Sequence, residues 1–104
     1  MTLTELASIL VAVGYPVAYS HFKEETKPPF ITYEETITDN FTADNKVYKK
    51  IPLIDVGLYT DKKDLAAENK LETLFDQNEI ARNSTETFIE SENIYQRIYE
   101  IKLI

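Results

Sequence analysis

One histidine, His21, stands in the stretch Tyr19-Ser20-His21-Phe22-Lys23-Glu24-Glu25, and its chemistry reaches furthest of any residue in the chain. An imidazole can take a proton when a carboxylate orients the ring and a nucleophile stands beside it. Glu24 and Glu25 could supply the carboxylate, but no nucleophile motif accompanies them. An ordinary histidine at a strand end explains the position with fewer assumptions. A metal centre needs clustered ligands. One histidine and no cysteine leave carboxylates, and so only a hard cation. Asp39, Asp44 and Asp61 fall in turn-like stretches, yet DNFTADN lacks the spacing and the glycine of a calcium loop. Turn-forming Asp and Asn account for it. The two glycines, Gly14 and Gly57, make no phosphate-cradling loop, and there is no serine-centred nucleophile elbow. The sequence therefore predicts no catalytic residue, no metal and no cofactor, and the chain reads as a non-enzyme.

Two charge patterns remain. Glu68, Glu72, Asp76 and Glu79 recur at steps of four, four and three, which puts four acids along one stripe of a helix. Such a stripe is either a solvated outer face or an acidic wall that something anionic must slide past. Lys46, Lys49 and Lys50 gather around Tyr48. Lysines with an aromatic can grip single-stranded nucleic acid, protect an edge strand, or meet an acidic neighbouring subunit. The formal net charge of −7, from 18 acids and 11 bases, speaks against the first. It also speaks against an anionic membrane surface. With no cysteine, disulfides and thiolate chemistry are excluded. The opening MTLTELASILVAVG has no basic region before its apolar run and is too short to span a bilayer, so neither a signal peptide nor a transmembrane segment is expected.

The elements that would position these residues can be read from periodicity. Leu3, Leu6, Ile9, Leu10 and Val13 form a helical stripe, with Thr2 and Glu5 as a capping box and Gly14 and Pro16 as the stop. Val17 to Phe22 reads as a strand, followed by a charged loop ending in Pro28-Pro29. Phe30 to Ile37 alternates as a half-buried strand, and DNFTADN reads as a polar turn. Lys46 to Tyr59 is long for one strand and slips parity near Pro52, which predicts a bulge or break there. A second helix is expected from about Lys62 to Gln77 with Asp61 as N-cap, then a hairpin of Thr85 to Ser91 and Ile94 to Ile104. At 104 residues, this order predicts one α+β domain spanning 1–104: a small antiparallel sheet with two helices packed on one face.

Four stretches stand out together: Gly14-Tyr15-Pro16-Val17, the Pro28-Pro29 strand entry, Leu58-Tyr59-Thr60-Asp61-Lys62 and the Tyr- and Glu-rich last strand. They resemble small proteins from the structural gene clusters of siphophages and prophages, in the tail-completion group of tail terminators and head–tail joining proteins. None is a catalytic motif. The resemblance covers nearly the whole chain. It implies a virion protein, made in the bacterial cytoplasm, that forms a homo-oligomeric ring (a hexamer) at the head-proximal end of the tail. Its neighbours would be the tail-tube protein and the head connector, and DNA would pass through without specific binding. On this reading Glu68, Glu72, Asp76 and Glu79 are candidates for the lumen wall, and Phe41, Lys46, Tyr48, Lys49 and Lys50 for subunit contacts. The competing reading is a small acidic protein-binding module, an inhibitor or regulator acting on a basic partner.

Overall fold

Thr2 starts the first helix, α1 (Leu3–Val11), as its capping box predicts. Its hydroxyl accepts the Glu5 N–H at 3.1 Å, and the Glu5 carboxylate accepts the Thr2 N–H at 3.3 Å. Leu6 and Leu10 are fully buried, and the chain leaves the helix through Gly14 at φ +98°, a conformation that glycine adopts without steric cost. These and the following features come from a computed structural model describing the backbone of residues 1–43 and 46–103, and the side chains of residues 1–36 and 51–103.

After α1 come β1 (Val17–Tyr19), β2 (Phe30–Ala43), β3 (Lys46–Thr60), α2 (Leu65–Gln77), β4 (Arg82–Ile89) and β5 (Ile94–Lys102). The fold is α+β. The strands form one sheet in the order β1-β2-β3-β5-β4. One pairing differs from the antiparallel expectation: β1 runs parallel to β2, with Val17 opposite Ile31 and Tyr19 opposite Tyr33. The reason lies in the loop of residues 20–29. It carries the chain back to the end of the sheet where β1 began, so both strands set out in the same direction. The bonds Ile31 N–H to Pro16 O and Ser20 N–H to Tyr33 O, both 2.8 Å, hold this short ladder at its two ends.

Several boundaries also moved; β4 runs Arg82–Ile89 where Thr85 to Ser91 is expected. β1 stops at Tyr19 because Ser20 takes a left-handed φ of 66°. α2 begins at Leu65 rather than near Lys62, because Asp64 and not Asp61 caps it, accepting the Ala67 N–H at 3.0 Å. The irregularity expected at Pro52 falls on the partner strand instead. β3 continues through Pro52 and shifts register farther out, where Phe41 and Thr42 pair with Lys49 and Val47 and Tyr48 is passed over, while β2 shifts register between Glu35 and Ile37. There the Thr36 hydroxyl donates to the Leu53 carbonyl at 3.3 Å. β2 also continues through Asp39–Ala43, so strand replaces most of the expected turn.

Ile31, Val56, Leu58, Ile54, Tyr99 and Ile101 share one face of the sheet and form one core with Leu6 and Leu10 of α1, Val13 of the turn that follows it, and Ala67, Leu71 and Phe75 of α2. Both helices therefore cover the same face. On the other face lie Thr32, Glu34, Asp55, Gly57, Tyr59, Ile98 and Glu100, and no helix covers them among the described residues. The β2–β3 hairpin outruns its neighbours. β1 pairs with β2 only as far as Tyr33, and β5 pairs with β3 only as far as Leu53. Beyond those points the two strands are paired with each other, out to Ala43 and Lys46.

Candidate functional site

His21 lies where β1 ends, and its surroundings are built by three strands. Its N–H donates to the Tyr19 carbonyl at 2.7 Å, and its Nδ1 is 3.1 Å from the Ser20 hydroxyl oxygen. Both residues are exposed, and among the described residues no carboxylate is hydrogen-bonded to the ring. A serine and histidine adjacent in sequence, without an orienting third group, do not make a nucleophile–base pair. The neighbourhood has a different character. Phe30 stacks on Tyr59 across the β2–β3 pair, with centroids 4.8 Å apart and planes at 16°, and Phe22 meets Phe30 edge-on at 5.3 Å. The Gln96 side-chain amide donates to the Tyr59 hydroxyl at 2.9 Å and fixes the ring. Gly57 makes this possible. A Cβ there would come within 2.9 Å of the Tyr59 ring and 3.2 Å of Thr32 Oγ1, so the absent side chain lets the tyrosine lie across the sheet. The loop of residues 20–29 and the β4–β5 turn flank these rings and border an open cavity of about 590 Å³. Glu24, Glu25, Asp61 and Glu92 line it, and among the described residues no lysine or arginine does. Sequence inspection finds His21 and the two glutamates. It misses the aromatic floor, whose members are scattered along the chain.

The acidic stripe is not a single bare wall. Glu68 is buried, its carboxylate 2.8 Å from Lys63 Nζ and 3.5 Å from Arg97 Nε. The latter is an ion-pair distance without a directed hydrogen bond, and Arg97 Nε is buried with no hydrogen-bond partner. Glu86 of β4 lies 2.8 Å from Lys63 and 3.9 Å from Arg97. Hydrogen bonds to Glu68 and then Glu86 hold the Lys63 ammonium above its usual value. Glu72 accepts the Tyr99 hydroxyl at 2.7 Å and faces Arg82 at 3.9 Å. Burial, reinforced by the bond to Glu72, pushes the Tyr99 phenol well above its ordinary range. Asp76 pairs with the same Arg82, and Glu79 sits just past the helix, exposed, at φ 57°. Three of the four acids thus turn toward β4 and β5 and meet cations there. Their spacing was legible. The partners were not, because Arg82 and Arg97 come from later strands and nothing local marks them.

A third arrangement crosses the uncovered face. Glu34, Asp55 and Glu100 stand directly opposite one another on β2, β3 and β5. Burial, then Glu100, then Glu34, pushes the Asp55 carboxyl above its ordinary value. A raised folded value means that the stability Asp55 contributes is complete at acid pH and is lost as pH rises through that value. Asp55→Asn is therefore expected to stabilise the chain at neutral pH by about 0.3–1 kcal/mol. The gain should fade near pH 3, where the wild-type carboxyl is protonated. Urea titrations at the two pH values check this, and equal midpoints at neutral pH would show that the row is screened by solvent.

Among the described residues no three histidine or carboxylate side chains are placed to hold a metal ion. The side chains of Phe41, Lys46, Tyr48, Lys49 and Lys50, like those of Asp39 and Asp44, lie outside the described residues. Their backbone, Asp44 excepted, lies within β2 and β3. No helix of the described residues is long and apolar enough to cross a membrane. No family model and no curated protein matches the chain.

Proposed function

We propose that the chain is a structural subunit that closes into a ring, of the kind that completes a siphophage tail and meets the head connector. The observation that carries this reading is the β2–β3 arm, two strands of 14 and 15 residues whose outer halves have no third strand beside them among the described residues. Beyond the Glu35 N–H, which donates to the Tyr19 hydroxyl at 3.1 Å, and the Pro52 carbonyl, which accepts the Leu103 N–H at 3.0 Å, a two-stranded arm offers its outer backbone edges, a liability in a lone molecule and a binding surface in an assembly. A contact between two unlike surfaces of one subunit propagates, and it ends when the rotation closes a ring. The net charge of −7 suits a channel through which DNA passes without sticking. That property rests on the chain's whole acidic surplus more than on the Glu68–Glu79 stripe, much of whose charge is met by Lys63, Arg82 and Arg97.

Native mass spectrometry over a concentration series is the test. One closed oligomer of fixed size, a hexamer first among candidates, is the expected result. A monomer at every concentration that also fails to bind purified tail tubes would sink the reading. The acid-rimmed aromatic cavity beside His21 favours a second reading, capture of a basic protein. A one-to-one complex with such a partner, without self-association, would select it.

A further inference from the structure

We infer that the cavity beside His21 is a socket for the lysine-bearing end of the β2–β3 arm of a second copy of this chain. The inference rests on the ring reading and names the contact that would build it. A stacked pair, Phe30 on Tyr59, forms the floor, and Glu24, Glu25, Asp61 and Glu92 line the walls. This combination selects a long cationic side chain. The apolar stem lies on the rings, the ammonium meets the ring face and the carboxylates, and partial desolvation strengthens both attractions. A volume of about 590 Å³ admits a few side chains rather than a folded domain. The exclusion of lysine and arginine from the lining leaves the charge to be met from outside.

The chain carries a matching feature. Lys46, Lys49 and Lys50 fall within five residues at the start of β3, opposite Ala43, Phe41 and Asn40 of β2. Phe30 and Tyr59 pair at the other end of the same hairpin. At about 3.3 Å per residue, the two ends are roughly 40 Å apart, so they cannot meet within one molecule. Between two molecules they can. Among the described residues no third strand pairs with the arm beyond Tyr33 of β2 and Leu53 of β3, so docking also offers strand partners to its outer edges.

The experiment is zero-length carbodiimide cross-linking of an equal mixture of unlabelled and nitrogen-15-labelled full-length chain, mapped by mass spectrometry. Links that join the two isotopic forms between Lys46, Lys49 or Lys50 and Glu24, Glu25, Asp61 or Glu92 are expected. The triple variant Lys46→Glu/Lys49→Glu/Lys50→Glu should shift the self-association midpoint upward by roughly tenfold or more. Mixing it with Glu24→Lys/Glu25→Lys should recover heteromeric association, with thermal melts confirming that both variants fold. A ring without these links overturns the socket and leaves the ring reading standing. These links in a reciprocal dimer uphold the socket and overturn the ring. Mixed-isotope links from the cavity only to other lysines overturn the inference. So does a persistent monomer, including one whose cavity binds an added oligolysine.

Discussion

Replacing Glu68 by methionine is expected to destabilise the fold by about 2–4 kcal/mol. The Glu68 side chain is only 12 % exposed, and Lys63 and Arg97 converge on it. Its loss leaves Arg97 with a buried Nε that already lacks a hydrogen bond, and with Glu86 at 3.9 Å as its remaining carboxylate contact. Arg97→Met should cost less, because Lys63 stays on Glu68 at 2.8 Å. The double variant Glu68→Met/Arg97→Met should be more stable than the sum of the two losses implies. It removes both desolvated charges together and fills the space with apolar stems. Urea unfolding of the four proteins gives the coupling energy directly. If Glu68→Met cost less than about 0.5 kcal/mol, the cluster would have to behave as a solvent-screened surface pair.

Phe75→Ala is expected to have the larger effect, about 3–5 kcal/mol. The ring is fully buried, meets Tyr99 edge-on at 5.4 Å, and lies 5.7 Å below the Arg82 guanidinium. Truncation would open a cavity between α2 and the sheet. It would also release two residues, Tyr99 and Arg82, that hold Glu72 and Asp76. A chain of this length has a total stability of roughly 5–15 kcal/mol, so little would remain. The melting temperature should fall by roughly 15–25 °C. Phe75→Leu, which keeps most of the volume, should lose less than half as much. Equal losses for the two variants would mean that the aromatic contacts, and not the filled space, carry the stability.

The parts of the fold that local chemistry decides were readable. Thr2 and Glu5 make a reciprocal cap that needs nothing beyond the first turn. The alternation of Ile31 and Tyr33, and of Ile54, Val56 and Leu58, marks the buried face of the sheet. The start of α2 was misplaced because Asp61 and Asp64 are equally competent caps, and the choice depends on where the helix must land on the core. The direction of β1 was unreadable for another reason: alternation reports which face is buried and is silent on which way a neighbour runs. The candidate site suffered most. Phe22, Phe30, Tyr59 and Gln96 come together only when three strands align. The spacing of Glu68, Glu72 and Asp76 says that they share a helix face, but not that arginines from β4 and β5 wait opposite it.

β5 follows β4 in the chain and lies between β3 and β4 in the sheet. During synthesis, β4 therefore emerges with no strand to pair with, and the inner edge of β3 stays open until Lys102 has left the ribosome. The nascent chain must hold the apolar face of α2 and an incomplete sheet in solution until β5 inserts, and every contact that β5 makes with β3 closes a long loop. Refolding of the isolated chain should be slow for a protein of this size, with pairing of β5 into the gap as the late step.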